Sequence, residues 1–222
     1  AILGDELSTR FLPEIYVFDD ENMVFAMEFF AGCDLLEKGL IDTGVVTEEI
    51  AAGLGEFMGK THAATHSLKV PAERATQLEA DFTNQPCRDI QLEFVFSKCY
   101  NEAETAAALR DDPAFMAEIS ALKSAYNGQV KESRCLLHGD LHPGSIMVDG
   151  KGTVKIIDPE FTIYGPPGLD VGSVLSGLVL AAVHHRHSGT GAEALTSLRT
   201  GAGLIWEKYS AAMVAEGGDG AG

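Results

Sequence analysis

Residues 136–161 read LLHGDLHPGSIMVDGKGTVKIIDPEF. Asp149-Gly150-Lys151-Gly152 is a strong turn signal. Ile146-Met147-Val148 before it and Thr153 to Ile157 after it are rich in strand formers. The stretch therefore predicts an antiparallel hairpin. In a hairpin the start of the first strand lies beside the end of the second, so the loop carrying Asp140 is brought against Asp158. Asp158 and Glu160 are two residues apart, and if the second strand continues they point to the same side. Pro159 between them removes a backbone donor and stiffens the pair.

Three carboxylates in one place repel one another, which is costly unless a cation neutralises them. Oxygen-only ligands select a hard ion such as Mg²⁺, which binds one or two carboxylates and completes its shell with water and substrate phosphates. Asp158 and Glu160 suit that work. Asp140, in an H-x-D loop across the hairpin, is suited to accept a proton from an attacking hydroxyl or to orient it. The arrangement suggests phosphoryl transfer from a nucleotide to an alcohol. The competing reading is a solvated turn with an ordinary ion pair. A lone H-x-D or D-x-E usually means only that, but the two together at hairpin spacing favour the catalytic reading.

Composition bounds the rest. The 222 residues make one large domain or two small ones, and 45% hydrophobic content describes a globular chain. The formal net charge of −17 repels nucleic acid and anionic lipid, so neither is an expected partner. Cys33, Cys87, Cys99 and Cys135 form no C-x-x-C pair, which reads as reduced thiols in a cytoplasmic protein. AILGDELSTR at the start lacks the basic-then-apolar order of a signal peptide. The longest apolar stretch, Val171 to Val183, is shorter than the about 20 residues a membrane helix needs and reads as a buried helix.

Residues 13–30 predict two strands around the acidic turn Asp19-Asp20-Glu21-Asn22. Residues 47–66 predict a helix capped by Thr47, with Ile50, Leu54, Phe57, Met58 and Thr61 on one face. His62 and His66 stand four apart on it, but no third ligand accompanies them, so they read as surface or capping residues. Further helical patterns cover 89–109, 113–127 with Pro113 at the first position, roughly 170–186, and 192–216. His184, His185 and His187 fall at a helix end and read as structural. Strands come first and helices follow, with one embedded hairpin, which is an α+β layout.

The run His138-Gly139-Asp140-Leu141-His142-Pro143-Gly144-Ser145 resembles the catalytic loop of the aminoglycoside phosphotransferase-like small-molecule kinases. Ser145, followed by Asp158-Pro159-Glu160-Phe161 and by Tyr164-Gly165-Pro166-Pro167-Gly168-Leu169-Asp170, is more similar to the 5-methylthioribose kinase family. EKGLIDTG at 37–44 and DFTNQPCRDIQLEFVFS at 81–97 are similar to it too, so the resemblance runs from about residue 13 to 209.

The resemblance implies a protein-kinase-like fold. Residues 1–30 would be part of an N-lobe with its hinge, and 31–222 a largely helical C-lobe containing the catalytic β-hairpin. Asp140 would be the base acting on the sugar 1-hydroxyl, and Asp158 and Glu160 the Mg²⁺ ligands. The backbone of Met27, Glu28, Phe29 and Phe30 would meet the adenine of ATP. Asp170 would support the catalytic loop, with His138 and Ser145 assisting. Expected partners are ATP and a small sugar, with neither nucleic acid nor membrane, and a homodimer is compatible with the pattern.

The chain departs from the family at Pro143, where Thr is usual and where aminoglycoside-type kinases often carry Pro, and at Pro167. The family's Gly-rich loop and strand lysine precede its hinge; the 26 residues before Met27 contain neither, and no Arg-Arg pair follows residue 172. A related kinase acting on an aminoglycoside, choline or homoserine, or an inactive kinase-like module, are the alternatives.

Overall fold

The computed structural model describes residues 2–129, 133–189 and 191–215. The central hairpin forms from β5 (Ile146–Val148) and β6 (Val154–Ile156), with Ile146 opposite Ile156 and Val148 opposite Val154. Its turn is built by Asp149, whose carboxylate accepts the Lys151 N–H, the Thr153 N–H and the Thr153 hydroxyl at 2.8–2.9 Å. These bonds hold the Asp149 carboxyl below the usual range.

Ahead of the hairpin come α1 (Asp5–Phe11), β1 (Ile15–Asp19), β2 (Val24–Met27), β3 (Asp34–Leu35), α2 (Leu36–Asp42) and α3 (Glu48–Thr65). β1 and β2 pair antiparallel around the predicted acidic turn. Their side chains stand largely exposed, Phe18 at 74%. β3 extends the hairpin sheet through Asp34 opposite Val148. α3 matches its prediction: Thr47 Oγ1 accepts the Ile50 N–H at 3.3 Å, and all five predicted apolar-face residues are buried.

A helical excursion follows, with α4 (Ala72–Asp81), α5 (Gln85–Glu93), α6 (Cys99–Asn101), α7 (Ala107–Arg110) and α8 (Pro113–Tyr126). Asp112 caps α8 by accepting the Ala114 and Phe115 N–H groups, which places Pro113 at the first position as predicted. The single helix expected over 89–109 is broken. A π-turn at Phe94–Lys98 and a non-helical step at Ala103 divide it, and Arg110 donates to the carbonyls of Tyr100 and Ala103 at that break.

β4 (Cys135–Leu137) and β7 (Ile163–Gly165) pair antiparallel and bracket the central hairpin. α9 (Gly168–Ser188) and α10 (Ala192–Ala215) complete the described chain. α3 and α10 pack very closely: a Cβ at Gly55 would lie 2.5 Å from the Ile205 carbonyl oxygen, and one at Gly59 would lie 2.6 Å from Ala212 Cβ. The main core gathers Phe11, Leu36, Leu40, Leu54, Met58, Leu141, Ile146, Ile156, Val174, Leu178 and Ile205. Each such side chain contributes about 1.5–3 kcal/mol by leaving water. α1 belongs to this core, its Phe11 ring lying 5.5 Å from Phe57.

The apolar run in α9 is half-buried rather than buried. Val171, Val174, Leu178 and Ala181 face the core, whereas Val179, Leu180 and Val183 are exposed. A helix turns 100° per residue, so a continuous apolar run must show both faces. At 21 residues α9 is long and apolar enough by composition to cross a membrane, but here one face lies in the core.

Candidate active site

The loop 138–145 is held from three sides. From α9, Asp170 accepts the His138 N–H at 2.8 Å through Oδ2 and the Gly139 N–H at 2.9 Å through Oδ1. From the hairpin, His138 Nε2–H donates to the Ile157 carbonyl at 2.8 Å, and the Ile157 N–H donates to the Ser145 carbonyl at 3.0 Å. From α5, Gln91 Nε2 donates to the Gly139 carbonyl at 2.8 Å. His138 Nδ1 accepts the Asp140 N–H at 3.3 Å, so its proton sits on Nε2.

Gly139 allows the closest approach. Its φ is +88°, and a Cβ there would lie 2.0 Å from the Phe161 carbonyl oxygen. The Asp140 loop is thus stitched to the segment 157–161, as the hairpin reading required. The Asp140 carboxylate remains 42% exposed, with His142 Nε2 at 3.6 Å from Oδ2. Ser145 is buried, and its hydroxyl donates to the Asp140 carbonyl at 3.1 Å.

Asp158 and Glu160 do not share one face of a strand. β6 ends at Ile156, Asp158 adopts a left-handed conformation (φ +65°), and Pro159–Phe161 form a 3₁₀ turn. Proline at 159 has no N–H to extend the ladder, so the chain turns where a strand reading would run on. Both acids are exposed. Among the described residues nothing hydrogen-bonds to either carboxylate, and no three His, Cys, Asp or Glu side chains converge as a metal-holding group. Two free, exposed oxygen donors fit an ion such as Mg²⁺, which takes few protein carboxylates and fills its shell with other oxygens.

Met27 to Phe30 run from the end of β2 into a turn. The Glu28 N–H donates to the Glu14 carbonyl at 2.8 Å, and the Ala31 N–H to the Phe29 carbonyl at 3.1 Å. The Phe29 ring is exposed and the Phe30 ring buried. Lys155 of β6 reaches Glu28 Oε2 at 3.9 Å and donates to the carbonyls of Thr9 and Leu12, tying the hairpin to α1.

Several supports escaped the sequence reading. His62 is not a surface residue: it is 1% exposed. Its Nε2–H points at Asp170 Oδ2 and its Nδ1 at the Tyr209 hydroxyl, each at 3.4 Å. It lies on the inner side of α3, where an imidazole is tolerated because both nitrogens find partners. His66 is the C-cap of α3, as the capping reading has it, but it is buried; its Nδ1 accepts the Leu68 N–H at 3.2 Å, and its Nε2 contacts Ser133 Oγ at 3.2 Å. His185 is structural, as its place at a helix end predicts: it is buried, and its Nε2 donates to the Leu40 carbonyl at 2.7 Å.

Asn84, with φ +42°, donates to the carbonyls of Glu160 and Thr162 at 2.7 and 3.1 Å. Arg88 is buried and donates to the carbonyls of Tyr126 and Tyr164. The Tyr126 hydroxyl donates to Gln91 Oε1 at 2.5 Å, and burial pushes its pKa up to about 12. The signal for these residues was present. Asn84, Arg88 and Gln91 recur at four- and three-residue spacing, a polar stripe along one helix face.

A model of the phosphotransferase enzyme family matches residues 12–209. The chain is 35% identical over 180 residues to a methylthioribose kinase of Escherichia coli O45:K1 (strain S88 / ExPEC), covering 77% of this chain and 42% of that protein. It is 35% identical over 187 residues to methylthioribose kinase 1 of Oryza sativa subsp. japonica, covering 77% and 41%. It is 33% identical over 192 residues to a methylthioribose kinase of Bacillus pumilus (strain SAFR-032), covering 82% and 47%. The chain thus spans less than half the length of these curated relatives. Among solved structures, a glucosamine kinase (crystal form A) superposes with a TM-score of 0.56 at 14% identity, covering 95% of this chain and 56% of that one. That likeness gives the protein-kinase-like fold. From Leu12 to Tyr209, the chain belongs to the phosphotransferase enzyme family.

Proposed function

We propose that this chain carries the hinge (within residues 1–30) and the helical lobe (31–222) of a cytoplasmic, ATP-dependent kinase. It transfers the γ-phosphoryl group of ATP to the 1-hydroxyl of 5-methylthioribose, a step of methionine salvage. Asp140 accepts the hydroxyl proton, or orients that hydroxyl, as attack proceeds. Asp158 and Glu160 hold Mg²⁺, with Ser145 nearby; the bound ion neutralises charge on the phosphates. The Met27–Phe30 backbone meets adenine. Asp170 and His138 fix the loop so that Asp140 is presented at a constant position.

One observation carries the reading: the Asp140 loop and the segment bearing Asp158 and Glu160 are stitched together through Ile157 and Gly139. Base and acid pair therefore issue from one fixed piece of backbone. That is what a transfer needs when it relies on placement and charge neutralisation and uses no covalent intermediate. The likeness to three methylthioribose kinases at 33–35% identity supports methylthioribose as the acceptor.

The test is phosphate transfer by the natural full-length protein from ATP to a panel of methylthioribose, choline, homoserine and kanamycin. Methylthioribose should be turned over in a Mg²⁺-dependent manner. Asp140→Asn should lower kcat by about 10²–10⁴-fold, the usual contribution of a positioned base. Turnover of choline or kanamycin without methylthioribose overturns the acceptor. An unchanged rate in Asp140→Asn overturns the mechanism.

A further inference from the structure

We infer that His142 is a positioning residue for the Asp140 carboxylate, an inference that rests on the proposed role of Asp140. The Asp140 backbone is already fixed: its N–H donates to His138 Nδ1, and its carbonyl accepts the His142 N–H and the Ser145 hydroxyl. Only the side-chain torsions remain free. Among the described residues, the polar side-chain contact of that carboxylate is His142 Nε2, 3.6 Å from Oδ2.

The His142 ring is itself held. Its Nδ1 accepts the Gly144 N–H at 3.0 Å, which leaves the proton on Nε2, the nitrogen facing Asp140. The Nδ1–Cε1 edge of the ring lies close against Gly144. A Cβ at that position would fall 2.6 Å from His142 Cε1 and 2.9 Å from Nδ1, so any side chain there must push the ring aside. A donor directed at one carboxylate oxygen selects one rotamer of Asp140 and leaves the other oxygen for the acceptor hydroxyl. At 3.6 Å the pair is longer than a hydrogen bond, and it has to shorten when substrate binds for His142 to act in this way. His142 also lines a cavity of about 530 Å³ with Glu37, Ser173, Ser176, Leu180 and His184.

The geometry supplies two independent perturbations, removal of the ring (His142→Ala) and displacement of it (Gly144→Ala). Both would be measured in the natural full-length protein with ATP and methylthioribose, beside His142→Gln and Asp140→Asn. Thermal midpoints would confirm that each variant is folded. His142→Ala and Gly144→Ala should each lower kcat about 10- to 100-fold, the effect of a misplaced reacting group, with KM unchanged for both substrates. His142→Gln keeps an N–H donor and should recover most of the loss. In an Asp140→Asn background, His142→Ala should add no further loss, because the two residues act as one unit. If Gly144→Ala does not fold, His142→Ala and His142→Gln decide the matter. Wild-type kcat in His142→Ala while Asp140→Asn is inactive overturns this inference and leaves the proposed function standing. A raised KM for methylthioribose at unchanged kcat also overturns it, making His142 an acceptor-binding residue. Full activity in Asp140→Asn removes the proposed function first.

Discussion

Asp170→Ala should be among the most damaging single substitutions in the chain. The Asp170 side chain is 2% exposed and serves two backbone amides at 2.8 and 2.9 Å and His62 Nε2–H at 3.4 Å. Each amide loses a bond to a charged acceptor, worth about 1.5–3 kcal/mol, and no water can replace it at that depth. The long His62 contact adds less. Removing the buried carboxylate also removes its own desolvation cost, which offsets part of the loss. The net should be about 3–5 kcal/mol, a large share of the about 5–15 kcal/mol that holds an ordinary domain together. Asp170→Asn keeps the shape and one acceptor oxygen but turns an NH₂ toward a donor, so its loss should be about 2–3 kcal/mol. Urea unfolding measures both. With a slope of about 1–3 kcal/mol per molar, the alanine variant should shift the midpoint down by at least about 1 M. Hydrogen exchange at the His138 and Gly139 amides should accelerate in the same order. A midpoint within experimental error of wild type, with both amides still protected, refutes the account of Asp170 as the loop's anchor.

Gly139→Ala should yield little folded protein, because the new methyl collides with backbone, the Phe161 carbonyl oxygen at 2.0 Å, and φ is +88°; soluble yield and thermal midpoint check this. Gln91→Leu should cost about 1–3 kcal/mol by orphaning the Gly139 carbonyl and the Tyr126 hydroxyl, read by urea unfolding. Thr47→Ala should cost about 1 kcal/mol through loss of the α3 cap, seen as a midpoint shift at constant slope. Burial first, and then Lys69, hold the His66 imidazole below its ordinary 6.5. The unfolded chain therefore binds more protons below about pH 6.5, and stability should fall as pH drops through that window. In His66→Asn that slope should flatten; an identical slope argues against the assignment.

What the sequence made legible was local. The hairpin register, the Thr47 and Asp112–Pro113 caps and the α3 face follow from turn chemistry and periodicity within a few residues. What stayed hidden depends on partners far along the chain. β3 pairs Asp34 with Val148, and β4 pairs Cys135 with Gly165. Strands of two or three residues carry no alternation to read, and only the tertiary fold creates them. The end of β6 is not legible in the sequence, because Asp158 takes a left-handed conformation that its identity permits but does not require. His62 was misplaced because its partners, Asp170 and Tyr209, lie on helices more than a hundred residues downstream.

The supporting contacts share a direction. Asp170 from α9 and Gln91 from α5 converge on the backbone of His138 and Gly139, the Ile157 carbonyl of the hairpin accepts the His138 imidazole N–H, and behind them stand His62 with Tyr209 and, through Gln91, Tyr126. Every one of these bonds ends on a main-chain group or on another support. None ends on the carboxylates of Asp140, Asp158 or Glu160. The fold therefore spends its buried polar network on fixing where the loop lies and leaves the three acids open to solvent. A site whose work is placement and charge neutralisation needs that division, because a carboxylate already bonded within the protein has fewer lone pairs for an ion or a hydroxyl. It also explains why the carboxylates can be read from a short motif, whereas Asp170 and His138 are named as supports only through the family resemblance and Gln91, His62 and Tyr126 are not named as supports at all. The acids act where they stand in the sequence, whereas each support acts on a backbone brought to it by a different helix.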